Sequence, residues 1–535
     1  MKDAVNIEQK TPKLQKQQKH YRNYLNIVFC LVIVIGVFFR GYNIEQKVYW
    51  HDEVYTSIRT AGYNGDEIVE RAFNEQVISP RNLLQYQTLS PQKTWRDTLE
   101  KLIEHPEHPP LYYLLSRAWQ ELFGSSIAAV RSLSAVFSLL LFPVVFWLCR
   151  ELFDTSEVGF WTIGIIAISP VQVLYAQESR EYSLLLVTTA LSCLALIGAV
   201  KRDNWQWWGF YAVSLAFNFY VSLIAAYIAI AQTFYIVVLE RFRFSKKIAK
   251  FVISGLVSLV LFAPWLWVIY KNFHVLQNKT EWTNTTLPFI ELLRYWELHL
   301  VNSFIDLHPQ VNGYVSVRII GFLAIFVILC YRTLCLKTKP QTWLLLVVMT
   351  AIPSLMLIVP DLVQGGIKSI MTRYFLPNIL MIQIAVAYWL SQMKSRQDWK
   401  RIISIFFIVG WGIISLTTSS QANTWWNKVV GYHNPVVAQI INNYRNPLVV
   451  SNDYDINIGN IISLSYLLDR DTRFFLFKKQ NIPSIEQQKS NPILLWNLPE
   501  ATRISFQAKN NCQLKLIEGE YYPPLWEILP NSSSS

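Results

Sequence analysis

The sequence predicts an all-α polytopic membrane protein of about eleven transmembrane helices with juxtamembrane helices and a small C-terminal α/β soluble domain. Three observations carry this. Of 535 residues, 52% are hydrophobic and only 16% charged, against about 25% charged in an ordinary soluble protein. The mean hydropathy of +0.24 is modest, so water-facing segments must dilute the apolar ones. Lys and Arg, finally, collect in alternate loops. An aromatic content of 14% excludes a disordered chain, which needs few aromatics and low hydrophobicity.

Apolar runs near the roughly 20 residues needed to cross about 30 Å of hydrocarbon lie near 23–42, 126–149, 157–175, 183–200, 205–219, 221–239, 251–270, 316–336, 341–359, 372–392 and 402–419. Positive loops stay cytoplasmic. Placing the basic tail 1–22 inside also places Arg150, Lys201, Arg202, Arg241, Arg243, Lys246, Lys247, Lys250, Arg332, Lys337, Lys339, Lys394, Arg396, Lys400 and Arg401 inside. The short outer loops then hold only Arg180, Lys368 and Arg373. The expected organisation is a cytoplasmic tail (1–22), a transmembrane region (23–420) with outer loops 44–125 and 271–315, and an extracytoplasmic α/β domain (421–535). The expected location is the plasma (inner) membrane. The formal charge of +12 is thus topological, and nucleic acid is not an expected partner.

Leu111 to Phe123 is apolar but carries Arg117 and Glu121 at i, i+4 spacing. A crossing would bury both charges and invert every later loop, so it reads as a juxtamembrane helix on the outer side, opened by Pro109 and Pro110. The first apolar run lacks a small-residue cleavage site and reads as a retained anchor. Six scattered cysteines imply no disulfide framework or thiolate metal site. Residues 44–107 show few strand-like runs, so short helices are expected there. After Asn423, Pro447–Ser451, Phe474–Phe477 and Pro492–Trp496 are short apolar runs between turn residues, with a helical pattern from Ile456 to Leu468.

Polar constellations gather on the outer side. Asp52 and Glu53 follow the first run; on a helix, Asp52, Tyr55 and Arg59 share one face at i, i+3 and i+7. The plain alternative is an acidic first turn, stabilised by the helix dipole at about 0.3–1 kcal/mol. Glu104-His105-Pro106-Glu107-His108 joins imidazole to carboxylate. His108 and Glu107 are candidate ligands for a divalent metal ion, the only cofactor expected, although no spacing as specific as HExxH is present. Tyr175-Ala-Gln-Glu178-Ser-Arg180-Glu-Tyr182 and Thr372-Arg373-Tyr374 each put one arginine at the outer mouth of a span. Two forked guanidinium groups suit one phosphate; the alternative is that each snorkels to lipid headgroups.

Together these residues resemble the polyprenyl-phosphate-sugar-dependent membrane glycosyltransferases of type C fold, glycosyltransferase family 39 and its bacterial relatives. The resemblance covers roughly residues 20–400, through Asp52-Glu53, His108-Pro-Pro-Leu-Tyr112-Tyr113, Ser169-Pro170, Tyr175 to Tyr182 and Arg373-Tyr374-Phe-Leu-Pro377. The lipid A aminoarabinose transferases, distant relatives, carry Arg where this chain has Tyr55 and Lys where it has His108. The resemblance implies sugar transfer from a polyprenyl-phosphate donor to a glycan, lipid or protein hydroxyl, with inversion. Asp52 is then the base and Glu53 its orienting partner. Tyr55, Arg59, Glu107, His108, Tyr112, Glu178, Arg180, Tyr182, Arg373 and Tyr374 would bind substrate.

Two other classes compete. A transporter or flippase of a lipid-linked anion would also need spans and arginines, but its sites lie near the midplane on broken helices, whereas these clusters sit at one face. A scaffold displaying the C-terminal segment would explain neither acids nor arginines. Phosphate-cradling Gly-rich motifs are absent from the sequence.

Overall fold

The structure, a computed structural model, describes residues 27–307, 309–393, 399–454, 456–485, 492–518 and 523–529. The basic tail, and Lys394 and Arg396 of the last basic loop, lie outside these residues. Helices stand at the apolar runs: Ile27–Gly41, Ile127–Phe153, Glu157–Ile168 with Pro170–Ala176, Tyr182–Arg202, Trp205–Val221, Ala225–Leu239, Lys246–Lys271, Pro309–Lys337, Pro340–Gln364, Thr372–Gln392 and Trp399–Gln421. Among the described residues six are long and apolar enough to cross a membrane, or seven if the bent pair is one span. Trp205–Val221 and Ala225–Leu239, at 17 and 15 residues, fall short of the length expected of them.

Glu157–Ile168 and Pro170–Ala176 meet at 65°. The cause is local, because a residue before proline is pushed out of helical geometry while proline itself suits a first helical turn; Ser169 is extended there (ψ 121°). Its hydroxyl donates to the Ser303 carbonyl and accepts from Gln383. The bend delivers residues 177–181 to the end of the bundle that meets helix His51–Thr60, where Tyr182–Arg202, almost wholly buried, begins.

Leu111–Phe123 is a 13-residue helix. Its Arg117 is buried and donates to the carbonyls of Thr60 and Lys93 and to the Thr98 hydroxyl, with Glu121 at 3.3 Å. These bonds tie it to the short helices His51–Thr60 and Trp95–Ile103. Residues 44–107 are not purely helical, as the sequence had led one to expect. They contribute a strand, β1 (Asn74–Ile78), whose exposed, polar sequence gives little hint of pairing.

That strand joins β2 (Leu448–Asn452), β3 (Arg473–Phe477), β4 (Ile493–Trp496), β5 (Gln513–Glu518) and β6 (Leu525–Leu529) in one sheet of order β1-β3-β2-β4-β6-β5. The central strands β3, β2 and β4 are parallel; the others run antiparallel to their neighbours. Parallel strands covered on both faces read as unbroken apolar runs, and alternate residues here serve two cores. Val449, Phe474, Leu476, Leu494 and Trp496 pack with Tyr49, Val54 and Ile58 of the first outer segment. Leu448, Val450, Phe475, Phe477, Ile493 and Leu495 pack with Phe506 on the other side. The C-terminal segment thus shares a core with the Asp52 helix and takes its edge strand from the 44–107 loop.

Candidate active site

Helix His51–Thr60 starts after extended Trp50 (φ −86°, ψ 173°), with Asp52 and Glu53 in its first turn. Successive helical residues point about 100° apart, and the two acids separate accordingly. Glu53 is fully buried. Arg131 donates to both its oxygens at 2.7 and 2.8 Å, Lys428 Nζ lies 2.9 Å away, and the Ser179 N–H donates at 2.9 Å. Burial alone would raise the Glu53 carboxyl, but Arg131 and Lys428 bring it down to about 2. Arg131 also donates to the carbonyls of Ile44, Lys47 and Val48, so the Glu53 pair clamps the strand of chain that enters the helix. Glu53 therefore orients the helix rather than facing a substrate.

Asp52 turns to the open side. Its Oδ2 accepts from Arg373 Nη1 at 2.8 Å. Arg180 Nη1 lies 3.5 Å from the Asp52 carbonyl and 3.3 Å from both the Thr56 and Tyr113 hydroxyls, while Nη2 reaches Glu181 at 3.2 Å. Burial would raise the Asp52 carboxyl; Arg373, Arg180, His51 and Arg59 outweigh it and hold it below the usual carboxylate range. The guanidinium of Arg373 sits over Tyr374 (5.5 Å) and Trp50 (6.0 Å), that of Arg180 over Tyr182 (5.7 Å). Arg373 Nε is buried with no acceptor, a donor left for a ligand.

Other expected residues fall into place differently. Tyr112 is fully buried and bonds Ser134 at 2.9 Å; its neighbour Tyr113 meets Arg180 and His108 instead. Glu178 turns inward to Asn427 and Lys428, and burial raises its carboxyl. Tyr55 packs against His51 with the ring planes tilted by 55° and lies under Arg59. Glu107 Oε1 stands 3.4 Å from His105 Nδ1 and 3.7 Å from His108 Nε2.

Glu107 and His108, the candidate metal ligands, thus stand as a pair of donors with His105 beside them. Among the described residues no cluster of three or more His, Cys, Asp or Glu is arranged to hold an ion. Burial, then the charges of Arg59, Arg180, His105 and Arg373, press His108 well below its ordinary pKa and keep its imidazole neutral.

Sequence reasoning missed Arg131, Lys428, Thr56 and Tyr113. Arg131 lies within the 126–149 run and had a signal, since an ionisable residue inside a span marks a partner. Lys428 had none: its partners Glu53 and Glu178 are hundreds of residues away. The segment around it is held by Trp425 and Trp426, which both donate to Asp306, and by the Asn423 carbonyl, which accepts from Val48 N–H.

Residues 107–268 match the family described as dolichyl-phosphate-mannose-protein mannosyltransferase, a stretch that includes His108, Tyr113, Arg131, Arg180 and Tyr182. No curated protein matches the sequence. Among solved structures, ArnT from Cupriavidus metallidurans bound to undecaprenyl phosphate superposes with a TM-score of 0.57 at 11% identity, over 95% of this chain and 98% of that one. Its apo state gives 0.55 at the same identity and coverage. The oligosaccharyltransferase AglB from Archaeoglobus fulgidus, in complex with an inhibitory peptide and a dolichol-phosphate, is more distant: TM-score 0.45, 13% identity, 84% of this chain and 64% of that one. The chain has the fold of ArnT, the type C fold of the polyprenyl-phosphate-dependent glycosyltransferases that its motifs resemble.

Proposed function

We propose that this protein moves a hexosyl or pentosyl unit from a polyprenyl-phosphate donor to an acceptor hydroxyl on the extracytoplasmic face, with inversion. The observation that carries the reading is the convergence of Arg180 and Arg373, from separate loops, on the first turn that bears Asp52. In the reaction the acceptor oxygen attacks the anomeric carbon, the bond from that carbon to the phosphate oxygen breaks, and Asp52 takes the hydroxyl proton. The lipid phosphate leaves with the electron pair, and its growing charge is met by the two guanidinium groups. A single displacement inverts the anomeric centre.

The Asp52–Arg373 pair fits this sequence of events. With Arg373 on its carboxylate, Asp52 is a weak base. A donor phosphate that draws the Arg373 fork onto itself adds negative charge beside Asp52 and makes it a stronger one. The basic-loop asymmetry supports eleven crossings through 23–420 with the N-terminus inside an inner or plasma membrane and the 421–535 segment outside.

The test is Asp52→Asn, which keeps size and removes the charge. With a panel of radiolabelled polyprenyl-phosphate sugars, turnover on the accepted donor falls by roughly 10²- to 10⁴-fold while binding of the lipid changes little. Near-normal turnover in the variant, or no donor used by the wild type, defeats the proposal.

A further inference from the structure

Arg59, two turns beyond Asp52 on the same helix, adds to the positive field that keeps the Asp52 carboxyl low but has no contact in the reaction just described. Its side chain is only 6% exposed. Among the described residues it makes no hydrogen bond or ion pair, and its Nε is buried without an acceptor. The buried arginines around it are all paired: Arg117 with Glu121, Arg131 with Glu53, Arg180 with Glu181 and Arg373 with Asp52. The Tyr55 ring lies 5.3 Å from its guanidinium carbon, a contact that steadies a cation without neutralising it. Its charge acts on His105, Glu107, His108 and Tyr113 and also reaches His51 and Asp52, which places it opposite the 105–108 loop, beside the hydroxyl that contacts Arg180 and along the same wall as the Asp52 turn. That facing wall is incomplete too, because Glu107 Oε2 is buried without a donor.

A buried charge with no partner costs several kcal/mol, and a guanidinium fork matches the two oxygens of a carboxylate or phosphate. The donor phosphate is an unsuitable occupant. Arg59 lies seven residues from Asp52, about 10 Å along the helix, whereas Arg180 and Arg373 meet at the Asp52 turn. The interval leaves room for a sugar ring between two anionic groups.

We propose that Arg59, backed by Tyr55 and faced by Glu107, is a subsite for a second oxyanion, a carboxylate or phosphate carried either by the transferred sugar or by the acceptor. The proposal rests on the glycosyl-transfer reading for the identity of those two partners. It makes this protein selective for an acidic substrate, with Glu107 left to accept from a neighbouring sugar hydroxyl.

The test measures equilibrium binding to the purified full-length protein in detergent with three probes. They are undecaprenyl phosphate, glucuronic acid linked to undecaprenyl phosphate, and glucose 6-phosphate added over saturating undecaprenyl phosphate. Arg59→Gln is expected to leave undecaprenyl phosphate binding unchanged, which also shows that the variant is folded. It weakens by about tenfold or more, as loss of a charged hydrogen-bond pair does, the glucuronyl lipid if the oxyanion is on the transferred sugar, or glucose 6-phosphate if it is on the acceptor. Arg59→Lys recovers part of the loss. If Arg59→Gln weakens undecaprenyl phosphate as much as Arg373→Ala does, Arg59 belongs to the donor phosphate and the proposal falls; it falls equally if neither acidic probe responds. If instead Arg373→Ala leaves undecaprenyl phosphate binding intact while Arg59→Gln discriminates the acidic probes, the fault lies with the phosphate clamp and not with this subsite.

Discussion

Glu53→Gln separates an orienting acid from a reacting one. The side chain keeps its shape and loses the charge that holds Arg131 and Lys428. In the folded protein Arg131 and Lys428 hold the carboxyl well below its ordinary 4.5. Ionised Glu53 therefore stabilises the folded state, and stranding one member of such a buried pair destabilises a protein by roughly 3–5 kcal/mol. Because the folded value is depressed, the contribution is complete above pH 4.5 and is lost as pH falls toward 2. Thermal unfolding of the purified protein in detergent, followed at pH 7 and at steps down to pH 3, reads both statements. The variant melts well below wild type at pH 7, and the gap narrows as the wild type is acidified. Equal melting temperatures at pH 7, or a gap indifferent to acid, would show that the clamp around Glu53 does not hold this helix in place.

Arg180→Ala and Arg373→Ala each raise the donor KM and lower kcat, and Lys at either position restores part of both, since it returns charge without the fork; unchanged kcat/KM in both variants removes the phosphate clamp. Arg373→Ala also shifts the acid limb of the kcat/KM profile to higher pH, because Asp52 loses the cation that contributes most to lowering its carboxyl; an unmoved limb means the titrating base is another group. Gly459→Ala sets a Cβ 2.5 Å from His51 Nδ1 and 2.9 Å from Tyr55 Cε2, overpacking that typically costs 1–3 kcal/mol, so both melting temperature and turnover drop; a neutral result would detach the C-terminal segment from the site. An impermeant maleimide labels Cys512 and single cysteines near 75 and 290 from outside and leaves one near 245 unlabelled in intact cells; the reverse pattern overturns the orientation.

What the sequence revealed of the fold is what short-range physics encodes. Apolar length marked the membrane helices and continuous runs such as Phe474–Phe477 marked the central strands, whereas the break at Ser169-Pro170 inside the 157–175 run emerged only in the structure. Asp52, Arg180 and Arg373 were legible because charges beside a bilayer need a reason. The strand at 74–78 was not, since an exposed polar edge acquires its conformation from pairing with β3 rather than from its own pattern. Tyr112 and Tyr113 could not be told apart without the helix phase that sends one to Ser134 and the other to Arg180. Lys428 depended wholly on tertiary closure.

That closure explains the division of labour between Asp52 and Glu53. Adjacent residues at a helix start cannot face the same way, so an acid pair there commits one carboxylate to the protein and frees the other for the site. The inward one needs cations, and they come from opposite ends of the chain: Arg131 from the bundle and Lys428 from the segment that follows the last apolar helix. Glu178, from the loop that also carries Arg180, shares Lys428 with Glu53. One buried ammonium thereby fixes the Asp52 helix relative to the Arg180 loop. The C-terminal segment is consequently part of the framework that positions Asp52. Its sheet borrows β1, its helix Asn457–Ser465 packs through Gly459 on His51 and Tyr55, and its lysine balances the acid that Asp52 leaves behind.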